Sequence, residues 1–313
     1  MAKRAAAAAI ALVCCVIAGA RAPAAAQITE AGLDRFESQK RSVVLADRLR
    51  LAYLDIGPRQ ARPLLLIHGY TDSSRDWAPL APLLEGHYRL IIVDLRGHGS
   101  SDKPPCCYSR FDFAYDLKLL LDSLHIATCD VAGHSLGSLV AQAFAAMWPE
   151  ATRRLILISS TGTSFAPAAA GSALDTTAPV PSWLAGVARL RDPIDPDSPF
   201  MREWWQQSIA INPEFFSRRQ RRDAAAIPAA IWRAIADQSL LGVDLRPMLS
   251  YVKAPTLLIW GGQDTLATAA GRKALQVGIQ GAQVHDFPAL GHDLFWQDPA
   301  AVASLISQFL DGK

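Results

Sequence analysis

Zinc-type cysteine spacing, charge imbalance and internal repeats are all missing from this chain. Five cysteines occur in 313 residues, none at the paired spacing that zinc sites use, so no metal is expected. Formal net charge is only +2, and no run of lysines or arginines forms a nucleic-acid footprint. The densest basic group, Arg218, Arg219, Arg221 and Arg222, reads as a solvated helix or loop face rather than an anion site. Without a repeat, a repeat architecture is not indicated. What is present is apolar: 50% of residues are hydrophobic and 19% charged, which supports a sizeable core and argues against disorder. The length suits one large α/β domain or two smaller ones.

Residues 1–26 read as a signal peptide. Lys3 and Arg4 precede the apolar stretch Ala5 to Ala20, and Ala24-Ala25-Ala26 offers a small-residue cleavage site before Gln27. Cleavage after Ala26 implies a secreted or periplasmic protein. The stretch is short and alanine-rich for a span, which needs about 20 residues, so no stable membrane insertion is expected afterwards; a retained anchor is the alternative. Cys14 and Cys15 follow Val13 and Cys14, where lipidation would want a small residue. Cleavage removes Lys3, Arg4 and Arg21 and no acid, leaving 28 basic against 29 acidic residues. Three cysteines remain, an odd number for an exported chain. Cys129 begins a strand, and a bond from it to Cys106 or Cys107 would have to cross a sheet. Cys106 and Cys107 are either a vicinal bridge or free thiols.

Strand-like and helix-like segments alternate. Val43 to Ala46 and Leu51 to Leu54 form a hairpin, with Asp47 and Arg48 at its turn. Strands then follow at Leu64 to Ile67, Leu90 to Val93, Cys129 to Ala132 and Leu155 to Ile158, and after a long interval at Thr256 to Trp260 and Val284 to Phe287. The later runs are apolar throughout, as in a parallel sheet covered on both faces. Helices are expected over Trp77 to Leu84, Phe111 to Leu124 and Ser138 to Trp148, with a last one over Asp298 to Leu310 that has Asp298 as N-cap and Pro299 at its first position. This alternation predicts a doubly wound sheet. Residues 162–250 hold no convincing strand but do hold Trp183, Trp204, Trp205 and Trp232, with helical segments at Pro199 to Ile211 and Ile227 to Leu241. Such an excursion predicts a helical cap over the sheet's carboxyl edge. The domain plan is therefore signal peptide 1–26, core 27–161, cap 162–250 and core 251–313.

Gly133-His134-Ser135-Leu136-Gly137 sits between a strand and a helix, the context of a nucleophile elbow. A serine hydroxyl needs a base to take its proton, and a histidine needs a carboxylate to hold its tautomer. For this layout the order is serine, acid, histidine. Asp264, after the strand ending in Trp260, fills the acid slot, and His292, after the last strand, fills the base slot. Oxyanion donors are expected from the N–H of Leu136 and of Tyr70, the latter in the loop His68-Gly69-Tyr70-Thr71-Asp72. His68 is expected to order that loop, and Tyr70's hydroxyl is expected either to touch substrate or to pack.

These motifs, with Asp94-Leu95-Arg96-Gly97-His98-Gly99-Ser100-Ser101-Asp102, resemble the α/β-hydrolase superfamily, in its capped serine esterase, lipase and haloperoxidase-like branch. The resemblance spans about Val43 to Leu310. It implies a mostly parallel eight-stranded sheet flanked by helices, with an inserted helical cap that selects substrate. It assigns Asp94, His98 and Asp102 to a structural loop. Ser138 departs from the family, where many relatives carry glycine. Relatives that open epoxides or remove halides attack with aspartate, so Ser135 points to acyl transfer.

The expected function is an exported, cofactor-independent hydrolase of small-molecule esters or lactones, working through an acyl-enzyme. Carbon–carbon bond hydrolysis, haloperoxidase-like or perhydrolase chemistry, and a ligand-binding receptor on the same scaffold are the alternatives. Oligomeric state stays open.

Overall fold

The computed structural model describes residues 28–163, 183–206, 211–241 and 244–312. Residues 1–26, read above as a signal peptide, lie outside them. Eight strands form one sheet: β1 Arg41–Val44, β2 Arg50–Ile56, β3 Arg62–Ile67, β4 Tyr88–Asp94, β5 Cys129–His134, β6 Thr152–Ile158, β7 Thr256–Gly261 and β8 Gln283–Phe287. Their spatial order is β1-β2-β4-β3-β5-β6-β7-β8. β1 and β2 make the expected antiparallel hairpin, β2 runs antiparallel to β4, and every later pairing is parallel. β5 is wholly buried near the middle, whereas β8 forms an exposed edge.

Helices flank the sheet. The first, α1 (Glu30–Ser38), had no expectation from sequence; α2 is Ala81–Leu84, α3 Arg110–Ser123 and α4 Leu136–Met147. The single helix expected from Trp77 to Leu84 is instead a 3-10 turn, Ser74–Trp77, followed by α2. Pro79 lies between them and cannot donate to a continuous helix. α3 opens on a reciprocal cap in which Ser109 and Asp112 exchange side-chain and backbone bonds. Between β6 and β7 the described residues hold helices and no strand: α5 Trp183–Arg189, α6 Pro199–Trp204, α7 Glu214–Ala225, α8 Ala229–Ile235, a π turn Ala236–Leu240, and α9 Arg246–Leu249. After β7 come α10 Ala269–Gly278, α11 Leu294–Gln297 and α12 Pro299–Asp311. Asp298 caps α12 through Ala301 N–H at 2.9 Å, as its sequence predicts.

The basic cluster on α7 departs from its expected solvated role. Arg218 and Arg222 are exposed, but Arg219 bonds Glu30, Asp34 and Glu37 of α1. Arg221 is buried and bonds Glu214 and Asp197. All of these acids but Glu214, which opens the same helix, lie on segments distant in sequence, so a local reading of charge missed them. Cys106 and Cys107 are joined as a vicinal disulfide, and Cys129 is a buried free thiol.

The loop after β4 is structural, as its resemblance implied. Buried Asp94 accepts from Lys40 Nζ at 2.8 Å and from the N–H groups of Ser74 and Ser100. Asp102 pairs with Arg50. His98 Nδ1 donates to the Arg96 carbonyl at 2.9 Å, and burial pushes its pKa down to about 3. Removing Lys40 would leave an unpaired buried charge, a loss of about 3–5 kcal/mol.

Candidate active site

Ser135 stands between β5 and α4 with φ 51° and ψ −117°, a strained conformation for a residue with a side chain. The surroundings impose it. A Cβ on Gly133 would strike the Gly137 carbonyl, and one on Gly137 would strike the Ile67 and His68 carbonyls of the neighbouring strand end. Only glycines allow the chain to turn this sharply against β3. Ser135 N–H donates to Ile158 O at 3.0 Å, which ties the turn to β6. Ser138 uses the hydroxyl that a glycine would lack, donating to Ser135 O at 2.6 Å and lying 2.6 Å from Ser160 Oγ.

His292 and Asp264 meet from adjacent loops. His292 Nδ1 donates to Asp264 Oδ2 at 3.0 Å, while Asp264 Oδ1 accepts from the N–H groups of Leu266 and Ala267 at 2.8 and 3.3 Å. The loops are laced by Gln263 N–H to Leu290 O and Gly262 N–H to Phe287 O, both 2.8 Å. Burial would raise Asp264, but the His292 charge and these donors outweigh it and hold the carboxyl at about 2. Burial would lower His292, yet the Asp264 carboxylate, its hydrogen bond and the charge of Asp293 lift it to about 9.

The geometry holds a second histidine–acid pair that the sequence reading passed over. His134 Nδ1 lies 3.3 Å from Asp76 Oδ2, and its Nε2 lies 3.2 Å from the His292 carbonyl and 3.5 Å from Asp293 Oδ1. Burial keeps this imidazole neutral, its pKa lowered to about 4. Nε2 faces only acceptors, so it carries the proton and Nδ1 is bare. Asp76 must then donate to Nδ1 as a carboxylic acid. Burial and the nearby Asp293 push Asp76 well above the carboxylate range, in agreement. The His292 carbonyl thus receives two bonds, from His134 and from Ser159 Oγ at 2.6 Å, which fixes the loop that carries the imidazole. The only sequence signal was a histidine inside the elbow pentapeptide; Asp76 lies 58 residues away.

The loop after β3 lies against the nucleophile. A methyl group on Gly69 would sit 3.5 Å from Ser135 Cβ. His68 orders this loop, as expected: Nδ1 donates to Gly69 O at 2.8 Å, and Nε2 accepts from Leu95 N–H at 3.0 Å. Tyr70 sends its hydroxyl to the Trp232 carbonyl at 2.6 Å, so of the two roles considered it takes packing. Leu136 begins α4, where an N–H has no acceptor within the helix and the helix dipole is positive. Gly69, Tyr70, Ser135 and His292 share one cavity of about 810 Å³, roofed by Trp183, Phe200, Trp204 and Trp205 from the helices between β6 and β7. Asp264 sits behind His292, outside the lining. Among the described residues no cluster of histidines, cysteines and acids could hold a metal, and none of their helices is long and apolar enough to cross a membrane.

A family model described as the alpha/beta hydrolase fold matches residues 62–299. The chain belongs to the α/β-hydrolase family. Within it, the chain is 30% identical over 297 residues to the 2-hydroxy-6-oxononadienedioate/2-hydroxy-6-oxononatrienedioate hydrolase of Escherichia coli K12, covering 90% of this chain and 97% of the relative. A hydrolase from Pseudomonas aeruginosa PA01 superposes with a TM-score of 0.69 at 26% identity, covering 87% of this chain and 98% of that structure. A bacterial membrane phospholipase A superposes with a TM-score of 0.72 at 25% identity, covering 90% of each chain. As a family member the protein is a hydrolase, and its eight-stranded, mostly parallel sheet is the family's.

One consequence for acid–base behaviour follows from His292. An imidazole accepts a proton only when neutral, and a raised pKa keeps it protonated until the pH passes the raised value. If His292 is the base, kcat/KM climbs with pH toward about 9 instead of levelling near 6.5, its ordinary value. A pH–rate profile on a neutral ester checks this; a plateau reached by pH 7 contradicts it.

Proposed function

We propose that this α/β hydrolase is an exported serine hydrolase of carboxylic esters or lactones, with residues 162–250 as its cap. One observation carries the reading: Ser135, on a positive-φ turn, shares a cavity with His292, whose other nitrogen is bound to Asp264 at 3.0 Å. Ser135 Oγ attacks the carbonyl carbon as its proton passes to His292 Nε2. The N–H groups of Leu136 and Tyr70 receive the oxyanion. The carbon–oxygen bond breaks, the leaving alcohol takes the proton from His292, and an acyl-serine remains. Water, deprotonated by His292, then releases the acid and restores Ser135. Asp264 keeps the proton on Nδ1 and stabilises the imidazolium. No step requires a cofactor.

The test is fluorophosphonate labelling of protein recovered outside the cytoplasm, with peptide mapping, intact mass and a p-nitrophenyl ester chain-length series. The expected result is a label on Ser135, an N-terminus at Gln27 and rapid ester turnover. A label elsewhere, or none on folded protein, overturns the assignment, and a retained residue 1–26 overturns cleavage.

The Escherichia coli relative favours a second reading, carbon–carbon bond hydrolysis, since its name specifies a hydroxy-oxo-dienedioate substrate. Turnover of a vinylogous diketone with negligible ester cleavage would select it.

A further inference from the structure

α5 carries a glycine at its centre. Gly186 sits midway along Trp183–Arg189, where glycine costs a helix stability that alanine would not. Its φ is not positive, so the backbone conformation does not call for glycine. What excludes a side chain is a single ring. A Cβ on Gly186 would collide with Cε2 and Cδ2 of Phe200 on α6, and the three atoms it would meet first all belong to Phe200.

That ring has held neighbours on its other sides. Its centroid lies 5.9 Å from that of Trp204 and 6.2 Å from that of Trp232. Trp204 is fixed by Nε1 donating to Thr71 Oγ1 at 2.9 Å, and fully buried Trp232 by Nε1 donating to Ala224 O at 3.1 Å. Gly186 and Phe200 both line the cavity that holds Ser135. Among the described residues, the cavity is therefore the side toward which the ring can yield. The buried lining of the roof is apolar, with Leu190, Ile194 and Leu240, whereas its charged members, such as Arg189 and Glu203, are exposed. Such a wall stabilises an apolar chain by taking its methylenes out of water.

We propose that Gly186 and Phe200 together set the length of apolar chain that the cavity accepts. Glycine lets the Phe200 ring lie back against α5, and the space left open takes the alkyl chain of a medium-chain ester. The inference deepens the ester-hydrolase reading and rests on it.

Two ester pairs test it: p-nitrophenyl octanoate against butyrate for the acyl side, and octyl against butyl acetate for the alcohol side. Wild-type kcat/KM is expected to favour the longer ester in at least one pair. Gly186→Ala is expected to lower that long-to-short ratio about tenfold or more, and Gly186→Ala with Phe200→Ala to restore it. A change in helix stability or in His292 acts on both lengths alike, so the ratio isolates the room available. Preference for the shorter ester in both pairs, a ratio unchanged by Gly186→Ala, or no recovery in the double variant overturns the inference. Should Gly186→Ala not fold, Phe200→Ala alone decides: a raised ratio upholds the inference, and an unchanged or lowered one overturns it. If no ester is cleaved, the hydrolase reading fails separately. Tryptophan fluorescence titrated with 1-octanol then decides: saturable quenching that Gly186→Ala weakens and the double variant restores upholds the chain site, and any other pattern overturns it.

Discussion

Replacing Ser135 with alanine is expected to abolish ester turnover while leaving the unfolding midpoint essentially in place. Loss of the nucleophile in a triad that acts as a unit lowers kcat by about 10⁶-fold, equivalent to about 8 kcal/mol of transition-state stabilisation. Stability should hardly change, because alanine and serine tolerate the positive φ of 51° about equally and the serine side chain makes no capping bond to α4. Kinetics with p-nitrophenyl butyrate, alongside a thermal melt, measure both. His292→Ala should be comparably inactive, and the double variant no worse than either single one, since the remaining groups have no partner to act on. Residual turnover within tenfold of wild type would remove Ser135 from the mechanism.

The second large effect is on folding. Gly137→Ala is expected to lower stability by about 3 kcal/mol or more, or to prevent folding. Its new methyl group would collide with the carbonyls of Ile67 and His68. Those are backbone atoms of β3 and the loop after it, which cannot rotate away as a side chain can. Any relief must move β3 away from β5 or distort the Gly69–Tyr70 loop, so surviving protein should also lose activity. Gly86→Ala is the control, because a methyl there meets nothing within 4 Å. Chemical denaturation of the pair decides: equal midpoints would mean that the elbow is less tightly packed than its geometry requires.

The parts of this site that were legible in sequence are those written locally. Two glycines around Ser135, between an apolar strand and an apolar helix, state a turn whose sterics are nearly self-contained. Asp264 and His292 could be placed because each follows its own strand, and parallel strands bring all their carboxyl ends to one edge. Pairing across sequence was not legible. Asp76 reads as a charged residue in a loop until the fold buries it against His134. Arg219 and Arg221 read as solvated until α1 and the segment around Asp197 are brought to them. α1 itself is largely polar and gives no strong pattern; its buried Leu33 and Phe36 are its core contribution.

The bond from Tyr70 to the Trp232 carbonyl joins two parts that the chain separates by 162 residues. One end belongs to the loop proposed to hold the oxyanion, and the other to the helices that roof the cavity. A roof that lifts to admit substrate must either break this bond or drag the loop with it. Where the bond holds, lifting the roof carries away the loop proposed to hold the oxyanion, so opening and oxyanion binding compete. Bulky esters would accordingly fail through slow turnover before they failed through weak binding.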